Sequence, residues 1–543
     1  MKRNLLLLFF LLLASTYSFA CTIIAVGKKA TADGSVIVSH SDAGPDCRLH
    51  VVKGQKYKEG SMMPVYWGMI ESGRPLGDYG DTLGFIPQAR ETYTYFHTAY
   101  PQMNVHQLSI AESTLSQRAE LKVDRATCKQ IMTIEQAQAI ALQRCKKSKD
   151  AVKLIGQLMD MYGFLPSCVG ESESLVIADP NEIWVFEVFS VGQWDPKSGK
   201  AGAIWAAKRV PDDHAMVIAN WSVIKEVHPE DTANYMASDN YMDFAINMGW
   251  YNPKDNKPFI WQDIYSPIPR EWATSRLWLF YSTYAPNYKQ WPERKKTSPY
   301  QGLNQYVQFV EPISIYPFSV RPERKMDIQD VKDFQRSTFT GTIYDKEDDP
   351  AWYKIKKDNT LEHSPMATPF PTKESRELLR ITQRRNVARA RGEYGMIAKL
   401  RSWLPDEIGG LYYFYVDNAY TSAYTPIYCG VSSIIPEYKT YDPKYFQENS
   451  LRWNVDFVDN LMYLRWQDAS KHMKQYRDSL EVQFEDERQA IENKALELYN
   501  KSPKKASKYL TEITHKRMKD VMTLFKKLRL DMISKWTNNK QGI

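Results

Sequence analysis

The sequence contains no Cys-x-x-Cys pair and no His-Glu-x-x-His motif, and its nine histidines are scattered. A metal hydrolase is therefore poorly supported, and neither a metal nor an organic cofactor is expected. There is no low-complexity tract and no basic block interleaved with aromatics. With formal charge only +7 over 543 residues, nucleic acid is not an expected partner. The one long apolar run, Leu5 to Ala14, is too short to span a bilayer, which needs about 20 residues. Cysteine is sparse: Cys21, Cys47, Cys128, Cys145, Cys168 and Cys429. With Cys21 set aside an odd number remains, so at most two disulfides can form among them, and spacing does not say which.

What is present begins with a leader. Lys2 and Arg3, the apolar run, and Ser18-Phe19-Ala20 have the layout of a cleaved signal peptide over 1–20. The expectation is an exported protein of a bacterial periplasm or surface, with no transmembrane segment in the mature chain. The remaining length predicts one large domain, 21–440, and an accessory region, 441–543, where the composition shifts to charged helical sequence interrupted by Pro503. That region reads as a solvated helical extension on the main domain. A basic helix of this kind also suits docking on membranes or partner proteins.

Hairpin and helix signals alternate along the main domain. "CTIIAVG" and "SVIVSHS" flank an Asp33-Gly34 turn, and "SLVIAD" and "EIWVFEV" flank Pro180-Asn181. Between the hairpins, "MTIEQAQAIALQRCKKSKDAVKLIGQLMDMYGF" predicts two helices, with Thr133 as the first N-cap and Gly163 ending the second. Paired strands with grouped helices predict an α+β fold rather than a parallel doubly wound sheet. Residues 351–377, polar and proline-containing, read as a long surface loop.

Cys21 stands at the expected cleavage point, where three readings compete. As a new N-terminus it would carry nucleophile and base in one residue. An α-amine titrates near about 7.7–8.0, and it can take the proton of a thiol whose pKa is near about 8.5. As a lipoprotein cysteine it would be acylated on sulfur and nitrogen and would anchor a surface binding protein. The bulky Phe19 and the immediate strand "TIIAVG" fit that poorly. As a structural cysteine it would simply be buried.

The segment "CTIIAVGKKATADGSVIVSHSDAG" resembles the opening of the dipeptidase family among N-terminal-nucleophile (Ntn) cysteine hydrolases. The likeness continues in order through "MNVHQLSIAEST", the helical segment, "GESESLVIADPNEIWVFEV", "RVPDDHAMVIANWSVI" and "RSWLPDEIGGLYYFYVDNAYTSAYTPIYCG", covering about 21–430.

The resemblance implies a four-layer αββα Ntn-hydrolase sandwich with a C-terminal helical extension, and an exported cysteine-type dipeptidase acting on small peptides. Homo-oligomers are common in that family. It assigns Cys21 as nucleophile with its amine as base, Asp42 as the acid orienting the amine, and Asn220 as an oxyanion donor. Ser113 and Thr114 match oxyanion or substrate contacts. Asn104 belongs to the same motif as Glu112, which is suited to meet a substrate's amino group or to form a structural ion pair. Related acylases carry an arginine just before the acid, whereas this chain has Ser39-His40-Ser41. A cation steadying the thiolate would then be His40 or a distant arginine such as Arg209. Trp221-Ser222 after Asn220 is a second departure. An Ntn acylase or amidase on non-peptide amides would share the first hairpin and the asparagine.

Overall fold

The computed structural model describes residues 21–44, 46–69, 74–168, 170–267, 270–295 and 315–537. The expected signal segment, 1–20, lies outside the described residues. The first hairpin forms where the turn residues demand it. Gly34 takes φ +85°, Asp33 Oδ1 accepts the Ser35 amide at 3.1 Å, and the strands Ile23–Val26 and Val36–Asp42 pair with Ala25 opposite Val38. Residues with a Cβ resist that φ, so the turn uses glycine.

This hairpin sits inside a six-stranded antiparallel sheet. In spatial order it runs Ala215–Ile218, Ile23–Val26, Val36–Asp42, Tyr394–Leu400, Leu411–Val416 and Thr425–Tyr428. A second, eight-stranded antiparallel sheet runs Tyr235–Ala237, Ile204–Val210, Ile183–Phe189, Ser172–Ala178, Ser109–Leu115, Pro101–Asn104, Tyr95–His97 and His50–Val52. The two sheets meet where Ile23–Val26 and Val36–Asp42 touch Ser109–Leu115 and Ser172–Ala178. The α+β class expected from the hairpins is what the chain adopts.

Helices cover the sheets. Ile134–Arg144 and Ser148–Tyr162 lie on the eight-stranded sheet, while Glu271–Tyr284 and Ile328–Gln335 lie on the six-stranded one. The predicted caps are in place: Thr133 accepts the Gln136 amide, and Gly163 ends its helix at φ +71°. Asp179, in the turn of the second predicted hairpin, accepts the Ser148 amide at 2.8 Å and the Asn181 amide at 2.7 Å. One carboxylate thus closes the turn and caps the neighbouring helix.

Two expectations change. Residues 351–377 are not a plain loop. They hold a small hairpin, Tyr353–Ile355 with Leu361–His363, turned at Asn359 (φ +63°), and the start of a helix, Lys373–Leu379. Trp352, Ala367 and Ile381 give this segment a small core of its own, which a polar composition hides.

The C-terminal helices, Leu451–Met462, Trp466–Lys501 and Pro503–Trp536, are more than a solvated extension. Glu481 and Glu492 are buried on them, and they pair with Lys332 and Arg336, and with Arg401, of the sheet-bearing part. Pro503 occupies the first turn of the last helix, where its missing N–H costs nothing. All six cysteines carry free thiols.

Candidate active site

Cys21 lies at the mouth of the first strand, and sheet pairing fixes its neighbours. Thr22 and Ser41 exchange backbone hydrogen bonds of 3.3 and 3.1 Å, so Cys21 must stand beside Asp42. The Cys21 sulfur lies 3.5 Å from Asp42 Oδ1 and 3.5 Å from Glu112 Oε2, and the residue is 1 % exposed. Gly44 makes room for the acid, since a Cβ there would come within 2.4 Å of Asp42 Oδ2.

Glu112 comes from the facing sheet, in Ser109–Leu115. It is also 3.6 Å from His40 Nε2, and both side chains are fully buried. His40 sits edge-on between Tyr100 and Tyr394. Its Nδ1 is 3.2 Å from the Gln102 amide, whose other end meets the Tyr412 hydroxyl. A hydroxyl donates or accepts, so the amide can sit either way round and either ring nitrogen can carry the proton.

Carboxyl groups crowd this centre. Burial, then Glu112 and Asp42, push the Cys21 thiol well above its usual value. Burial also raises Asp42, against the pull of His40. Glu173, fully buried on the adjoining strand Ser172–Ala178, is pushed up by burial and by Glu112, which keeps it protonated well above the usual carboxylate range. Cys21 is therefore held as a thiol. Forming its thiolate needs a base, with cations nearby to favour the anion.

Those cations were not legible as a motif. Arg276, 2 % exposed, reaches out of Glu271–Tyr284. One terminal nitrogen donates to the Cys21 carbonyl and to Thr22 Oγ1, each at 2.7 Å, and the other to the Ala219 carbonyl and Asn220 Oδ1, each at 3.0 Å. The available signal was an arginine inside a helix rich in apolar and aromatic residues, "EWATSRLWLFY", a residue type almost never fully buried unless paired. Arg385 and Arg389 also act electrostatically on the Cys21 thiol. Burial and Arg389 bring Arg385 down to about 9; its guanidinium lies over the Trp272 ring, and its Nη1 has no hydrogen-bond partner among the described residues. Arg209, by contrast, is taken up by Glu182 at 3.0 Å and Asp212 at 2.5 Å.

Asn220 follows the strand Ala215–Ile218 with φ +59°, a left-handed conformation that asparagine tolerates. Because Arg276 holds Oδ1, the amide nitrogen faces Ser113 Oγ at 3.3 Å and the Thr114 carbonyl at 3.1 Å. Thr114 Oγ1 lies 3.3 Å from Glu112 Oε1 and 3.1 Å from Cys168 Sγ. The departure at Trp221-Ser222 has a structural use: Ser222 Oγ and the Val223 amide donate to buried Glu187 at 2.6 and 2.7 Å, anchoring the segment that carries Asn220. Asn104 stands apart, bonding the Leu142 and Cys145 carbonyls at 2.8 Å as a turn-holding residue.

Cys21 Sγ, His40 Nε2 and a Glu112 oxygen all lie within 4.8 Å of one another. Residues 21, 40 and 112 have no ligand spacing along the chain; strand pairing and sheet stacking bring them together.

Comparison with known proteins places these residues in context. Residues 20–479 match peptidase family C69. The chain is 24% identical over 428 residues to a "Probable dipeptidase" of Salmonella dublin, covering 77% of this chain and 82% of that protein. It is 25% identical over 342 residues to a "Probable dipeptidase" of Latilactobacillus sakei, covering 60% and 62% of the two chains. To "Probable dipeptidase B" of Streptococcus pyogenes serotype M1 it is 20% identical over 531 residues, covering 97% and 95%.

Proposed function

The chain belongs to peptidase family C69, and we propose that it is an exported cysteine-type dipeptidase whose working form begins at Cys21. The observation that carries the reading is the Cys21 sulfur between Asp42 and Glu112, with Arg276 joining the Cys21 backbone to Asn220. The two facing antiparallel sheets with helices on their outer sides support assignment to the four-layer αββα Ntn-hydrolase sandwich.

Once cleavage frees the α-amine of Cys21, that amine takes the thiol proton and the sulfur attacks the peptide carbonyl. Charge develops on the carbonyl oxygen, where the Asn220 amide donates; Arg276 keeps that amide from turning over. The amine then passes its proton to the leaving nitrogen and activates water against the thioester. Asp42, next to the sulfur, is the group placed to orient the amine. A dipeptide is a zwitterion, and the surroundings have two poles. Glu112 is suited to a substrate ammonium, and Nη1 of Arg385, without a hydrogen-bond partner among the described residues, to its carboxylate.

An acyl chain on Cys21 would have to occupy space now filled by the carboxylates touching its sulfur, which speaks against the lipid-anchored alternative. The deciding experiment takes the secreted protein and determines its N-terminus and intact mass. It then compares hydrolysis of a dipeptide panel with that of N-acyl amides, for wild type and Cys21→Ala. A bare Cys21 terminus and dipeptide hydrolysis abolished by the substitution are expected. Another terminus, an acylated amine, or full activity in Cys21→Ala would end the proposal, and preference for acyl amides would move the assignment to an acylase.

A further inference from the structure

We propose that Cys21, His40 and Glu112 form a zinc-binding site that masks the nucleophile, so that zinc is a reversible inhibitor and not a cofactor. The donor set is what zinc selects: a thiolate, an imidazole nitrogen and a carboxylate oxygen. A tetrahedral zinc with sulfur at about 2.3 Å and nitrogen or oxygen at about 2.0–2.1 Å holds its ligand atoms about 3.3–3.6 Å from one another. The Cys21 sulfur is 3.5 Å from Glu112 Oε2, which is 3.6 Å from His40 Nε2, so two of the three edges already match and the third, within 4.8 Å, closes by a side-chain shift.

One buried atom of the trio points to a missing partner. His40 Nε2 is inaccessible to solvent and makes no hydrogen bond among the described residues, in a side chain exposed by 0 %. Buried polar atoms without partners are uncommon and call for an explanation. Carboxyl oxygens of Asp42 and Glu112 each lie 3.5 Å from the sulfur, an oxygen-rich setting that suits a divalent cation.

Zinc-ligating histidines usually donate their other N–H to an oxygen. In the structure the Gln102 amide nitrogen faces Nδ1 and the Tyr412 hydroxyl donates to its oxygen; turning the amide over on metal binding lets Gln102 accept the Nδ1 proton while its NH2 donates to that hydroxyl. On binding, the Zn–S bond replaces the S–H bond and the thiol proton leaves to solvent. Asp42, whose Oδ1 lies 3.5 Å from the same sulfur, is the neighbouring side chain able to complete the tetrahedron.

The site itself does not depend on the dipeptidase reading; only the inhibition does, and the test separates them. Mature protein stripped of metal is titrated with Co²⁺, following the thiolate-to-cobalt charge-transfer band and metal stoichiometry, and zinc is then used to displace the cobalt. One equivalent is expected, with the band absent in Cys21→Ser and affinity at least tenfold weaker in His40→Ala and in Glu112→Gln. Zinc should suppress dipeptide hydrolysis over the same concentration range, and a chelator should restore it. Absence of the band in wild type, or unchanged affinity in the His40 and Glu112 variants, would overturn the site. Circular dichroism checks each variant, and if His40→Ala does not fold, Glu112→Gln decides alone. Metal binding as expected in a wild-type protein that hydrolyses no dipeptide would leave the site standing and sink the dipeptidase reading.

Discussion

Arg276 joins Cys21 to Asn220: one guanidinium nitrogen donates to the Cys21 carbonyl and the other to the Asn220 side-chain oxygen. The planar fork thereby fixes the distance between the Cys21 backbone and the Asn220 side-chain amide. In the proposed reaction Arg276 is a positioning residue.

Arg276→Lys keeps a positive charge but cannot make both bonds, because a lysine ammonium is a single point donor on a flexible stem. We expect kcat on dipeptides to fall about 10²-fold, on the scale of losing one oxyanion donor, with KM changing much less. Steady-state kinetics across both constants checks this. A variant with wild-type kcat, or one losing KM and kcat alike through general loosening, would contradict the positioning role.

Asn220→Asp tests the donor itself. Aspartate also tolerates the φ of +59°, so the backbone is left unstrained, while a hydrogen-bond donor becomes an acceptor. A fall in kcat of about 10²–10³-fold is expected, together with a lower melting temperature, because the buried bonds to Ser113 Oγ and the Thr114 carbonyl go with the donor. Activity within a few-fold of wild type would remove Asn220 from the oxyanion role.

Stability should depend on pH through two carboxyls of opposite sign. Burial alone would raise Glu481, but Arg336 and Lys332 outweigh it and hold the group well below the usual value. Its folded pKa is thus below its unfolded one. Its stabilisation is present above about pH 4.5 and is lost as pH falls below that. Glu135 is the reverse: burial pushes it up to about 7. The folded state holds its proton more tightly, so stability declines as pH rises from about 4.5 toward 7. Denaturant melts across pH should show Glu481→Gln flattening the acid limb and Glu135→Gln flattening the slope between those values. Unaltered curves would refute both assignments.

Arg401 and Glu492 form a buried pair at 2.8 Å, with Arg401 also donating to the Ile408 and Gly409 carbonyls. It fastens the helix Trp466–Lys501 to the end of the strand Tyr394–Leu400. Glu492→Ala leaves the guanidinium charge buried, and a loss of about 3–5 kcal/mol is expected. Hydrogen exchange should show this helix opening first. A loss below 1 kcal/mol would mean the helix is held by its apolar face alone.

The local elements were open to reading because their signals are short-range. A Thr133 cap, a Gly163 stop and an Asp33-Gly34 turn each act over a few residues, and each does its work in the structure as expected. The hairpin at 353–363 was missed because its strands are three residues long, too short for alternation to show above a polar background. The burial of Glu481 and Glu492 was missed because a charged residue on a helix reads as solvated until its partner, far off in the chain, is known.

By itself the sequence determined the hairpin that presents Cys21, the helix pair beside it, and the likeness through which Asp42, Glu112 and Asn220 are named. Only the tertiary structure decided that His40, Glu112 and Glu173 crowd the same sulfur and that Arg276, 255 positions from Cys21, holds its carbonyl. The reason is physical. Turn and cap preferences are set by a residue's own backbone and nearest neighbours, whereas the meeting of side chains across two stacked sheets is set by register and packing, which leave no periodic mark along the chain.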